Sequence, residues 1–311
     1  MGWREDVTFG NLTVTGSFNA NPSLFGGSLY GKPKVYFVSR NVTRSGDGTS
    51  WGQAFKTIGE AIAKVNQDYT LRYMPDNGRN RLIVIGEGWY SEVALELTAN
   101  DCTIISNASG NLSYGTVLYG SLTAGGWDIG CAGPALKVTG DNCTVAGFGV
   151  FCYNVLYPAI QNGELAGAAF GNKFINMSAV RDVPDGQLGG LMDYGLDGTE
   201  IINFFASTSC KDWGIKSLSD GVINPVNTKV IGGQMVGCPI GVYIHAGHNA
   251  LVKGVDFMDD TSDRPDVCDY PVIVDGSATV TGCSSALAKA AIVTGDGVIV
   301  DRNNWGSDSS T

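Results

Sequence analysis

The sequence predicts an all-β protein, a right-handed parallel β-helix that opens with an N-terminal capping α-helix and a short N-terminal arm. Three observations predict it. A few apolar or β-branched residues followed by Gly or Asn recur at Val84-Ile85-Gly86, Val145-Ala146-Gly147, Ile201-Ile202-Asn203, Val230-Ile231-Gly232, Val252-Lys253-Gly254 and Val280-Thr281-Gly282. Related units at Ile104-Ile105-Ser106, Ile175-Asn176 and Ile299-Val300-Asp301 complete a series spaced 19 to 29 residues apart, with one gap of 41. Helical periodicity is missing from residues 71–305. A repeat of this length is a unit that cannot bury its own apolar face, so neighbours must stack to build a core.

The arm comes first. Residues 1–32 hold one alternating stretch with Val7, Phe9, Leu12 and Val14, then a run of Gly, Ser and Asn. A lone strand on such a connector cannot bury itself, so the arm is expected to serve oligomerisation or attachment. Residues 33–70 follow as an entry strand, Val35-Tyr36-Phe37-Val38, and a helix. Ile58, Ala61, Ile62 and Val65 stand at helical spacing, and Thr57 with Glu60 forms a capping box. An amphipathic helix here would cover the open edge of the first coil.

Residues 71–311 are the coils. β-formers before each Gly or Asn read as a strand ending in a left-handed corner. A second strand precedes several of these units, as in Leu136-Lys137-Val138-Thr139-Gly140, Val242-Tyr243-Ile244-His245 and Val272-Ile273-Val274-Asp275. Each coil therefore holds at least two strands and has room for three. The long gap hides either another coil around Thr116-Val117-Leu118-Tyr119-Gly120 or a protruding loop.

Composition narrows the function classes. A net charge of −10, with scattered arginines, argues against nucleic-acid binding. No apolar run approaches membrane-span length, and no charged-then-apolar leader is seen, so neither a membrane span nor a signal peptide is expected. The eight cysteines form no CxxC pair and gather no histidines, so they read as inward-facing free thiols, with no metal site.

The segment Val35-Tyr36-Phe37-Val38, Gly48-Thr49-Ser50-Trp51, Ala54-Phe55-Lys56-Thr57-Ile58 and Ala61-Ile62, followed by Ile83-Val84-Ile85-Gly86-Glu87-Gly88-Trp89-Tyr90, resembles the opening of pectin-lyase-like right-handed β-helix proteins. Leu12-Thr13-Val14-Thr15-Gly16 resembles the N-terminal arms of bacteriophage fibre and spike proteins. These resemblances imply a virion structural protein, a spike, head fibre or capsid decoration. It would be made in the host cytoplasm, assembled as a homotrimer and joined to other virion proteins through the arm, with a host surface glycan as a further partner. The alternative on the same fold is a polysaccharide-degrading lyase or hydrolase.

An enzyme of this kind needs paired carboxylates, or a base with a cation. The weak candidates are Asp256, Asp259, Asp260 and Asp263, with Asp266 and Arg264 beside them, and His248. Asp259-Asp260 resembles the paired aspartates of polygalacturonases and Gly247-His248 their histidine segment. Here, however, His248 precedes the aspartates, no Gly follows it, and no Arg-x-Lys lies downstream. The 256–266 stretch is expected instead to be a solvated acidic loop able to take Ca²⁺. Asp193, Tyr194 and Asp197 lie in a Gly-rich loop suited to turns or to binding. Trp89, Trp127, Trp213, Tyr153 and Tyr157 are candidates for a sugar-stacking surface.

Overall fold

In the computed structural model the chain winds as a parallel β-helix of three strand ladders behind one α-helix. The structure describes residues 34–70, 81–92, 94–107, 116–124, 127–130, 132–152, 154, 156–164, 169–179, 187–207, 210–218, 226–245, 249–258, 268, 270–285, 293–294, 298–302 and 305–306. The arm, with Val7, Phe9, Leu12 and Val14, lies outside these residues.

Ladder one stacks ten strands from Lys34–Val38 through Arg81–Ile85, Cys102–Ser106, Thr144–Ala146 and Lys173–Ile175 to Val298–Arg302, all parallel and in register. Alternate residues point inward, so Ile83, Ile104, Val145, Phe174, Ile201, Val230, Val252 and Val280 form one fully buried row along the lumen. Phe174 and Phe204 supply the bulk of the lumen at mid-length, where each aromatic ring would cost about 3–5 kcal/mol to truncate.

Each ladder-one strand is followed by a corner. Gly147, Asn176, Asn203, Gly232, Gly254 and Gly282 all have positive φ, the left-handed conformation that Gly and Asn reach at low cost. Asn203 Nδ2 donates to Asn176 Oδ1 across rungs at 3.1 Å. Gly86 and Ser106 do not themselves have positive φ, and at the first of these corners it is Gly88, two residues on, that has φ +140°. A second left-handed row, Asp101, Asn142, Gly171, Gly198, Asn227 and Asn249, precedes ladder one and was not apparent from the sequence pattern.

Ladder two begins with Gly88–Ser91, Thr116–Ala124 and Gly149–Cys152. Thr116–Ala124 therefore belongs to a coil and also extends into an antiparallel hairpin with Trp127–Gly130, so the long gap holds both an added strand and a protrusion. Glu200–Ala206 and Lys229–Val236 bend through the corner and serve ladders one and two at once. Ladder three contains Leu95–Leu97, Leu136–Val138, Ile160–Asn162, Gln187–Asp193, Cys210–Ser217, Ile240–Ile244, Tyr270–Val274 and Val293–Thr294.

The helix Ile58–Thr70 packs Ile58, Ala61, Ile62 and Val65 into the core of the first coil. Thr57 Oγ1 accepts from Glu60 N and Glu60 Oε2 accepts from Thr57 N, which closes the capping box. Glu92 adds a tertiary cap, its two carboxylate oxygens accepting Ile58 N at 2.7 Å and Gly59 N at 2.6 Å. No described helix is long and apolar enough to cross a membrane.

The seven described cysteines are buried thiols. Cys102 and Cys143 stack in adjacent rungs, and burial pushes both thiols up. Such thiols pack as small apolar groups and are poor nucleophiles.

Candidate functional site

Among the described residues, an open, shallow groove of about 410 Å³ lies on the outer side of ladder three. It spans Cys210–Ser217, Ile240–Ile244 and Tyr270–Val274, three successive rungs. A row of glycines brings the backbone close to the lumen side chains there. A Cβ on Gly190 would fall 2.5 Å from Gly214 O and 2.9 Å from Phe204 Cε1. One on Gly214 would fall 2.6 Å from Met235 Sδ, and one on Gly241 only 2.3 Å from Phe257 Cε1. The backbone therefore lies directly on the lumen side chains, at a place where register also shifts between Gln187 and Gly189. Gly189 gives up its own side chain to the ring of Trp213, since a Cβ there would fall 2.3 Å from Trp213 Cε3.

Trp213, Ile240 and Ile273 line the groove as apolar residues, and Trp213 is buried. Its working groups are Lys216, Tyr243 and Tyr270. Lys216 and Tyr243 are direct ladder partners, and the Lys216 ammonium lies 5.0 Å from the centre of the Tyr243 ring. Burial holds the Lys216 ammonium below its ordinary pKa. The Tyr243 hydroxyl donates to Asp275 Oδ2 at 2.5 Å. Burial, and then that carboxylate, raise the phenol to about 12. His245 meets the Tyr243 ring edge-on at 5.7 Å, and its Nδ1 is buried without a described partner. Tyr270 is 47% exposed at the groove's lip, near Lys211 and Asp212.

Such a site can do two things. Tyrosine rings offer an apolar face to a flat ligand, while Lys216 and the Tyr243–Asp275 pair offer a cation and oriented polar groups at the same height. Asp212 is the one carboxylate along the groove's lining, so the described residues do not place a pair of carboxylates across it.

The sequence-derived candidates lie elsewhere. Asp256 sits on ladder two, where Ser284 Oγ donates to its Oδ1 at 2.5 Å. Asp259, Asp260, Asp263, Arg264, Asp266 and His248 fall outside the described residues, as does Tyr153. Among the described residues no group of three His, Cys, Asp or Glu side chains could hold a metal. Asp193, expected in a Gly-rich loop suited to turns or to binding, is instead a fully buried lumen carboxylate at the end of Gln187–Asp193. Its Oδ1 accepts Asn162 Nδ2, Gly195 N and Thr199 Oγ1, and its Oδ2 accepts Thr228 Oγ1. Burial raises its pKa despite these donors. Asp193 is an organiser of the core, and no surface ligand can reach it. Trp89 is exposed and meets Phe151 edge-on, whereas Tyr157 packs on the core.

No family model matches the chain, and no curated protein matches it by sequence. Solved structures with the same winding include the pectin methylesterase from carrot, at 11% identity and a TM-score of 0.53 over 91% of this chain and 86% of that one. A pectin methylesterase mutant in complex with a hexasaccharide matches at 12% identity and 0.51, over 92% of each chain. The alginate lyase from Paenibacillus matches at 15% identity and 0.50, over 79% of this chain and 93% of that one. These likenesses establish the right-handed parallel β-helix fold.

Proposed function

We propose that this chain is a rigid adhesion protein that holds a polysaccharide in the ladder-three groove, and that it is a structural part of a bacteriophage particle, as a spike, head fibre or capsid decoration. The observation that carries the binding half is the groove itself. Two tyrosine rings and a partly desolvated lysine lie along a sheet stiffened by ladder hydrogen bonds. Saccharide rings pack their C–H faces on aromatic rings and spend their hydroxyls on oriented donors and acceptors. A stacked-rung rod supports this well, because its backbone bonds are shared between neighbours and little order is lost on binding. The virion half rests on the resemblance of the leading segment to phage arms.

The second reading is a polysaccharide-processing enzyme. Its support is that the named fold neighbours are pectin methylesterases and an alginate lyase, one of them in complex with a hexasaccharide. The two readings separate in one set of assays. An array of bacterial surface polysaccharides is expected to give a binder whose affinity drops at least tenfold in Tyr243→Ala, with no release of reducing or unsaturated ends. Product release lost on substitution of Asp259 or Asp260 would instead establish the enzyme. Mass spectrometry of purified particles tests the virion half, which fails if the chain is absent from them.

A further inference from the structure

Ladder one has an outer face as well as a lumen face, and it is not patterned like an ordinary solvated sheet. One outward row runs Phe37, Val84, Ile105, Ala146, Ile175, Ile202 and Ile231, seven apolar residues in seven successive rungs. All are half-buried, while their inward neighbours are fully buried. Trp51 packs on the first, with ring centroids 4.9 Å apart, so the chain itself covers one end of the stripe. The five residues from Ile105 to Ile231 continue it over about 20–25 Å.

The charges beside the stripe are as unusual. The neighbouring outward row holds Lys173, Glu200 and Lys229, and Glu200 is gripped from both sides at 2.9 Å. Lys253 extends the stripe itself. In a chain of net charge −10 this is a face whose described acid is already neutralised and whose balance is cationic. At the corner just before ladder one the opposite arrangement appears. Phe170 is 42% exposed, Asp141 in the preceding rung accepts its N–H, and Asp197 in the following rung is its ladder partner.

We infer that the outer face of ladder one docks a second copy of this chain, the exposed Phe170 corner of one copy seating on the Ile105–Ile231 stripe of the next. The corner supplies an apolar knob flanked by carboxylates, and the stripe supplies an apolar track flanked by lysines, so charge and shape match in this head-to-tail sense. A contact of this type is heterologous, and about a shared axis it closes into a ring. Three copies are the smallest ring that such a contact closes. A second rod is also the partner that a straight track of this length fits. The inference is independent of what the groove binds.

Light scattering on the purified full chain tests it. The expected mass is three times 32.6 kDa, falling to that of one chain in Ile175→Asp/Ile202→Asp with an unchanged circular-dichroism spectrum. Should that variant fail to fold, the double variant Phe170→Cys/Ile202→Cys keeps the question open to answer. With Cys131→Ser in every variant, a short bismaleimide is expected to join the double variant's chains covalently and to leave each single-cysteine variant unjoined, because the seven described thiols are buried. Tyr243→Ala is expected to leave the mass unchanged, which separates failure of this contact from failure of the groove. A wild-type mass of one chain overturns the inference. So does an assembly that survives the aspartate variant and gives no cross-link.

Discussion

Replacing Gly241 with alanine isolates the packing beneath the groove. The added Cβ would sit 2.3 Å from Phe257 Cε1, 2.5 Å from its Cδ1 and 2.6 Å from Pro271 O. The phenyl ring fills the lumen, and the carbonyl belongs to the adjacent ladder-three strand, so neither moves freely. Overpacking of this kind costs about 1–3 kcal/mol, against a gain of about 0.4–1 kcal/mol from the stiffer unfolded chain. The net expectation is a loss of about 1–2 kcal/mol. Two companions separate causes. Gly254 has φ +63° and open space around the site of a Cβ, so Gly254→Ala should cost only the left-handed penalty of about 1 kcal/mol. Gly52 has open space and no left-handed φ, so Gly52→Ala should be neutral or slightly stabilising. Thermal denaturation followed by circular dichroism orders the three, with about 2–4 °C for each kcal/mol. If Gly241→Ala melts with or above Gly52→Ala, the ladder does not lie on the lumen as described.

Other outcomes follow from single contacts. Tyr243→Phe keeps the ring under Lys216 but removes the donor to Asp275, so saccharide affinity should fall by less than in Tyr243→Ala, as read by calorimetric titration. Asp193→Ala leaves Asn162, Thr199 and Thr228 side chains and the Gly195 N–H facing an empty acceptor, and should cost about 3 kcal/mol or more in denaturant unfolding. Although burial opposes it, hydrogen bonds from Lys34, Lys64 and Tyr36 hold Asp68 down at about 2, below its ordinary 3.8. Its contribution is therefore present above pH 4 and lost as pH falls towards 2, a step that Asp68→Asn should remove from the acid melting profile. Tyr243 works at the other end. Its phenol is raised from 10 to about 12, so its contribution is complete below pH 10 and lost as pH rises towards 12, and Tyr243→Phe should flatten that alkaline step.

Much of the winding was legible because its causes are local. A left-handed corner needs Gly or Asn, and a lumen row needs an apolar residue at every second position, so ladder one and its corners stand out in the residues themselves. The corners at Gly86 and Ser106 were misread for the same reason, since a Gly or Ser after β-formers looks alike whether or not φ is positive. Ladder two was harder. Ser178–Ala179 and Ser284–Ser285 are two-residue strands whose place is set by their neighbours and not by their own pattern. The groove was not legible. Lys216, Tyr243 and Tyr270 come from three different coils, and only the ladder register sets Lys216 beside Tyr243 and Tyr270 beside Ile240 along one groove. A signal was present in Trp213-Gly214 and Ile240-Gly241, which repeat an apolar-Gly pair inside ladder three, but it becomes visible only when coils are aligned in register. Glu92 escaped notice because it caps a helix more than thirty residues before it. The acidic candidates were chosen for their density along the chain, whereas Asp256 faces away from the groove on another ladder.

A crystal structure of the full chain with a bound oligosaccharide that it selects from the array tests the account most directly. The account predicts a sugar ring against Tyr243 or Tyr270, with a polar group within reach of Lys216. A sugar held instead at the 256–266 acidic stretch, with the ladder-three groove empty, would contradict it.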